Sequence, residues 1–357
     1  MTDLKTRLTE RISRHGPMTL AEYMTECLLH PTLGYYTRRD PLGRSGDFIT
    51  APEISQMFGE LIGLWLAQVW MDQGAPGDAI LLELGPGRGT LMADALRATR
   101  GVPGFHPAMR LHLVEASPYL RDVQRRTICG HDPVFHDTLD TVPDGPVFAI
   151  ANEFFDALPI RQFQRAGGAL WHERVVGLDA GELSMGLTPP APLARLEHRL
   201  GDTEQGMVVE TCAPAEAIAA ELGRRIAEHG GAALIVDYGE DESFGDTFQA
   251  VAGHKTVDPF AAPGMADLTA HVAFGPLARA ARPAHATALV PQGVFLEHLG
   301  ITARAQALAR HLQGPSIDQH IAAHRRLTHP EEMGHLFKAL ALFPAGAATP
   351  PGLSART

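Results

Sequence analysis

The sequence predicts an α/β fold of the doubly wound class, a mostly parallel sheet covered by helices on both faces. Three observations carry this. Apolar strands alternate with helical patterns between about residues 76 and 152. The strands are apolar almost without interruption, as burial on both faces requires. The first of them, in ILLELGPGRGT (Ile80 to Thr90), runs directly into three glycines at alternate positions. At 357 residues the chain also has room for an N-terminal helical extension and an antiparallel β insertion.

Leu4, Leu8 and Ile12 repeat at helical spacing and predict a short first helix. Helical periodicity returns in TLAEYMTECLLH and again in ISQMFGELIGLWLAQVWMDQG, where Ile54, Phe58, Leu61, Ile62, Trp65 and Val69 form one stripe. The Gly- and Pro-rich segment between them reads as an ordered covering loop, so residues 1–75 are expected to form the extension. Strand AILLEL, a helix over about 90–99, strand LHLVEA, a helix over about 118–127, strand PVFHD and strand PVFAIAN follow. From Pro159 the period shortens and Gly-containing turns appear, placing the antiparallel insertion at about 159–205 inside a main domain of 76–345. A helix in PAEAIAAELGRRIAEHG, the strand AALIVDYG, two helices near 302–312 and 316–327, and the strand HLFKALALF complete it. Residues 346–357, rich in Pro, Ala and Gly, are expected to be a flexible tail.

A net charge of −11 argues against a general nucleic-acid binder. Cys27, Cys129 and Cys212 are too scattered for a disulfide framework or a metal-ligand spacing. None of the 18 histidines pairs at i,i+4 beside a glutamate, so no metal is expected. No apolar run approaches the roughly 18 residues of a membrane span, and no signal or transit peptide is recognised. The expectation is a soluble cytoplasmic protein of bacterial type.

The glycine loop could hold a triphosphate, a dinucleotide or a ligand without phosphate. A triphosphate loop needs Gly-Lys-Ser/Thr, and no lysine follows Gly85, Gly87 or Gly89. The dinucleotide fingerprint would put its third glycine at Thr90. Gly-x-Gly-x-Gly preceded by an acid, here Glu83, is instead the pattern of S-adenosylmethionine-dependent methyltransferases, whose ligand carries no pyrophosphate. A carboxylate at the end of the second strand can accept from both ribose hydroxyls, and Glu115 stands there. Asp137, after the third strand, is either an acceptor for the adenine amino group or a turn residue.

The fourth strand ends in ANEFFDALP, which brings Asn152, Glu153 and Asp156 to the ligand edge of the sheet. Methyl transfer requires an acceptor held in line and a group to take its proton, and carboxylates suit a guanidinium or ammonium acceptor. Phe154 and Phe155 are candidates for core packing or for a wall over a cation or an adenine face, and Phe155 is placed at the substrate. In the loop GRSGDFITAPEISQ, Thr50 either caps a helix or touches the cofactor, Glu53 either supports that helix or faces the substrate, and Asp47 is expected at the substrate.

GPMTLAEYM, HPTLGYY, GDFITAPEISQMFGELIG, LLELGPGRGTLM, HLVEASPYLR, NEFFDALPIRQF, ALIVDYG and DLTAHVAF together resemble the MidA family, from about Gly16 to Phe337. The resemblance implies a class I methyltransferase (Rossmann-like) fold that binds S-adenosyl-L-methionine and yields S-adenosyl-L-homocysteine. It places Glu83, Gly85, Gly87 and Gly89 at the cofactor and Asn152, Glu153 and Asp156 near the substrate. For the family's mitochondrial members, which are respiratory complex I assembly factors, it implies symmetric dimethylation of an arginine in a complex I subunit. The chain departs from the family at ETCAP, Glu210 to Pro214, where relatives tend to carry E-x-S-P, and the role of Glu210 stays open. A methyltransferase of another protein or a small molecule, a cofactor-binding assembly partner without activity, and a nicotinamide oxidoreductase remain alternatives.

Overall fold

The computed structural model describes residues 3–38 and 50–356. Its main sheet contains β1 (Ala79–Leu84), β2 (Met109–Val114), β3 (Val134–His136), β4 (Val147–Asn152), β5 (Gly231–Glu240) and β6 (Phe337–Phe343), in the spatial order β6-β5-β4-β1-β2-β3. All neighbours are parallel except β5 and β6. The chain steps outward from β1 to β3 and then returns to the other side of β1 to form β4. That reversal parts the connections at the carboxyl ends of β1 and β4 and leaves a crevice there. Every residue of β1, β4 and β6 is buried, as the unbroken apolar runs predict.

The helices are numbered α1 (Leu4–His15), α2 (Leu20–Leu29), α3 (Gln56–Asp72), α4 (Thr90–Ala98), α5 (Pro118–Thr127) and α6 (Ala213–His229). Capping explains several of their starts. Thr19 and Glu22 form a reciprocal capping box at α2. Ser117 accepts from Leu120 N ahead of Pro118 at α5, and Ser55 accepts from Met57 N at α3. Phe58, Leu61, Ile62, Trp65 and Val69 of α3 are buried in one cluster with β1 and β4 residues, while Ile54 lies on the separate short helix Ala51–Ile54. A Cβ at Gly63 would stand 2.5 Å from Ala95 Cα, so glycine is what lets α3 lie directly on α4.

The insertion is an antiparallel sheet of Arg161–Gly167, Leu170–Asp179 and Glu182–Leu187, joined by Val208–Thr211 beyond the predicted end near 205. It is also the seat of the N-terminal extension. Met18–Thr19 adds a short strand to Leu170–Asp179, and Leu8, Tyr23, Met24 and Cys27 share a core with Val176 and Leu183. Gln249–Ala252 and Lys255–Val257 are strands in a stretch whose periodicity predicts no element. Residues 346–356, expected as a flexible tail, lie against the body. The buried Trp65 indole N–H needs an acceptor and donates to Pro351 O at 2.9 Å, Ala355 bridges Thr287, and Arg356 pairs with Asp241 at 2.7 Å.

Candidate functional site

A cavity of about 590 Å³ opens at the carboxyl ends of β1, β2 and β4, within the size range of small-molecule sites. The sheet supplies its floor through Glu83, Glu115 and Asn152, α2 and the Tyr35–Arg38 turn supply Leu28 and Tyr36, and α6 supplies Ile218. Of the charged residues that line it all but Arg88 are acidic, so the cavity suits a ligand that carries positive charge.

The glycine loop adopts the left-handed backbone at each predicted position, with φ of 62° at Gly85, 54° at Gly87 and 81° at Gly89. A side chain at Gly85 would also collide with Phe154 Cδ2, 2.7 Å from where its Cβ would sit. Gly85 and Gly87 line the cavity, whereas Gly89 stands behind it as the residue from which α4 starts. Glu83 is 2% exposed, and its Oε2 has no hydrogen-bond partner among the described residues. Burial and the charge of Glu115 push its carboxyl up to about 8.

Glu115 is buried at the end of β2 with one donor on each oxygen: Ser117 N on Oε1 at 2.7 Å and Gln124 Nε2 on Oε2 at 3.1 Å. The same Gln124 amide donates to Gly87 O at 2.7 Å, so α5 ties the carboxylate to the glycine loop. Asp137 lines the cavity from an exposed position and pairs with Arg121, which also holds Glu115 O at 2.7 Å. Thr50 lines it too, at the start of the Ala51–Ile54 helix but with no capping bond from its side chain. Glu53 lines the cavity, and its Oε1 accepts from Thr90 Oγ1 at 2.5 Å, which fastens the covering segment to the start of α4. Asp47 lies outside the described residues.

The polar residues after β4 separate. Asn152 and Glu153 reach the cavity, and Asn152 Oδ1 is buried without a partner among the described residues. Glu153 Oε1 accepts from Ala51 N at 2.8 Å and from Asn152 Nδ2 at 3.1 Å, and burial pushes its carboxyl up to about 7. Its backbone is left-handed, φ 50°, an uncommon conformation for glutamate. Asp156 does not line the cavity. It is buried on the far side of the turn, bonded by the Tyr238 side chain, and burial pushes it up to about 6. Phe155 is corrected from a cation wall to a core residue: it is 2% exposed among Ala149, Phe274 and Leu277, while Phe154 faces the cavity instead. The turn hides Phe155 and Asp156 while Asp237, which no strand-end pattern singles out, gathers its backbone from beneath. Tyr36 is a second omission, a cavity residue whose hydroxyl donates to Asp267 at 2.7 Å. An aromatic in an N-terminal turn carries no periodic signal that could have marked it.

Glu210 is a buried tie in the insertion: it accepts from Gln162 Nε2 at 2.6 Å and Thr247 N at 2.9 Å. Among the described residues no three His, Cys, Asp or Glu side chains could hold a metal ion together. The two orphaned acceptors, Glu83 Oε2 and Asn152 Oδ1, instead call for donors from a ligand. S-adenosylmethionine fits the donor set: it brings an ammonium, two ribose hydroxyls and a sulfonium charge to an acid-lined cavity, and a loop without Cβ atoms lets its body approach the backbone.

Comparisons with known proteins agree. Residues 61–292 match a family model described as S-adenosyl-L-methionine-dependent methyltransferase. Protein arginine methyltransferase NDUFAF7, mitochondrial, from Danio rerio is 41% identical over 93% of this chain and 84% of its own length. Its human counterpart is 38% identical over 96% of this chain and 84% of its own. A crystal structure from Burkholderia thailandensis, bound to S-adenosyl-homocysteine, matches with a TM-score of 0.82 at 28% identity, covering 98% of this chain and 93% of that one. These matches bear out the resemblance to the MidA family. They overturn the expected cytoplasmic location, because the curated relatives are named as mitochondrial proteins. The family match runs from α3 through the whole parallel part of the sheet, and the chain belongs to this family: it is an S-adenosyl-L-methionine-dependent methyltransferase.

Proposed function

We propose that the chain is a protein arginine N-methyltransferase that symmetrically dimethylates a subunit of respiratory complex I. One observation carries the reading furthest: Glu153, a carboxylate fixed by two donors, is raised to about 7 at the cavity wall next to Asn152. A guanidinium acceptor needs a carboxylate both to orient it and to take its proton, and a group titrating near neutrality can do both. The names of the relatives, which are protein arginine methyltransferases, support the same acceptor.

In this reading Glu83 binds the ammonium of the methyl donor, Gly85 and Gly87 bring the backbone against it, and Gly89 starts the helix behind. Glu115 accepts from the ribose hydroxyls, Asp137 faces the adenine and Thr50 closes the cover. When bound, S-adenosylmethionine supplies a methyl on a sulfonium: the acceptor nitrogen bonds that carbon, the C–S electron pair stays on sulfur, and nitrogen loses one proton. Glu153 accepts the proton and later releases it to solvent, while Asn152 holds the Glu153 carboxylate through its amide. The extension and α6 wall the transfer from water. Asp156, off the cavity wall, supports the turn.

The test uses extract from cells lacking the protein, incubated with the purified chain and methyl-labelled S-adenosylmethionine. The expected result is label in a complex I subunit, recovered as symmetric dimethylarginine by mass spectrometry. Label in a small molecule or in another protein overturns the acceptor. Complex I assembly restored by a variant that binds the cofactor but transfers no methyl overturns the enzymatic role in assembly.

A further inference from the structure

We propose that Asp237 is a positioning residue for methyl transfer: its buried carboxyl group gathers the backbone of the turn after β4 and so aims Glu153 into the cavity. The proposal rests on the reading that Glu153 faces the acceptor. Asp237 lies near the carboxyl end of β5, is fully buried, and is absent from the cavity lining, so it reaches the chemistry only through other residues. Its Oδ2 accepts from three consecutive amides, Phe154 N at 3.2 Å, Phe155 N at 3.0 Å and Asp156 N at 3.2 Å. Its Oδ1 accepts from Tyr238 N at 3.0 Å.

Successive N–H groups converging on one oxygen form a nest, and here the acceptor is a side-chain oxygen contributed 81 residues downstream. The neighbouring geometry shows what the nest accomplishes. Glu153 N donates to Val236 O at 2.9 Å, which carries the β4–β5 ladder one residue past β4. At Glu153 the backbone then turns left-handed, and the next three amides point back at Asp237. A glutamate held at positive φ needs surroundings that over-determine it. The Asp237 nest supplies these on one side, and the bond from Ala51 N to Glu153 Oε1 supplies them on the other. In Asp237→Asn one of the two accepting oxygens becomes an NH2 donor, so either the three adjoining N–H groups or Tyr238 N loses its acceptor, and the turn would have to reorganise.

Methyl transfer to the extract acceptor is measured at saturating S-adenosylmethionine for wild type, Asp237→Asn, Glu153→Gln and the double variant, with cofactor affinity measured by calorimetry. Asp237→Asn is expected to slow transfer by about 10- to 100-fold, the scale on which a misplaced group loses rate. Its cofactor affinity should stay within about threefold of wild type, and in the Glu153→Gln background it should cost less than about threefold further, because the two act as one unit. Multiplying effects would overturn the inference, as would an Asp237→Asn enzyme of wild-type rate. An unchanged rate in Glu153→Gln would defeat the underlying reading of Glu153 instead. Hydrogen exchange decides if Asp237→Asn fails to fold or the double variant is too slow to read: in the wild type the amides of residues 154–156 should exchange as slowly as those of β5. Loop-like exchange there refutes the nest.

Discussion

The two ends of the cavity are built on different principles. At the glycine loop each functional group sits where a strand ends: Glu83 just before its turn, Glu115 just after β2, Asp137 just after β3. Their donors are local as well, Ser117 and Gln124 lying within nine residues of Glu115. At the other end a single turn sends four neighbouring side chains in three directions. Glu153 and Phe154 face the cavity, Phe155 enters the core, and Asp156 turns to Tyr238. The organising acceptor, Asp237, comes from another strand. A parallel strand end is a repeated geometry that position in sequence can reveal, whereas a tight turn spends its directions on tertiary partners.

The contrast can be tested by substitution. The largest effect is expected at Gly85→Val. Positive φ and the 2.7 Å approach to Phe154 together should weaken cofactor binding by more than about 100-fold in calorimetry. Next, Glu153→Gln should slow transfer by about 100-fold, the general-base scale, with cofactor affinity nearly unchanged. Asp156→Asn should slow it by less than about fivefold, since a turn-supporting carboxylate loses only part of a positioning effect. Equal losses from these two variants would break the distinction between the faces of the turn.

A smaller effect is expected from pH. Glu83 titrates near 8 in the ligand-free protein, and an ammonium ligand favours its carboxylate, so binding should release a proton and affinity should rise between pH 6 and about 8. Glu83→Gln should flatten that rise. The stability contribution of this group runs the other way. Its folded value lies above the ordinary 4.5, so its contribution is full below 4.5 and is lost as pH rises through about 8. Thermal melts of the ligand-free protein should therefore show Glu83→Gln gaining on wild type toward pH 8. The smallest effect belongs to Asp137→Asn. Its carboxylate is exposed and paired with Arg121, so cofactor affinity should fall by only about threefold, a surface-scale loss near 0.6 kcal/mol.

Much of this architecture was legible because it follows from periodicity. Ala79–Leu84 and Pro118–Thr127 occur with the boundaries that the alternation of apolar strand and helical pattern predicts. Val147–Asn152 and Ala213–His229 fall within a residue of theirs. The strands Gln249–Ala252 and Lys255–Val257 were not legible, for they are short, half-exposed or exposed, and stabilised by pairing with each other and with Asp267–Thr269. The same holds for residues 346–356, whose Pro and Gly content describes a chain with little intrinsic structure but says nothing of the Trp65 indole awaiting an acceptor.

By itself the sequence determined the strand order's raw material, the glycine loop, and the strand-end carboxylates Glu83 and Glu115, because these depend on backbone geometry and local spacing. Only the tertiary structure decided that Glu153 rather than Asp156 meets the cavity, that Phe155 packs in the core, and that Glu53 is bound to Thr90. Those outcomes hinge on which donor finds which acceptor and which face is packed, and the partners arrive from chain segments tens of residues away, a distance across which no local pattern carries information.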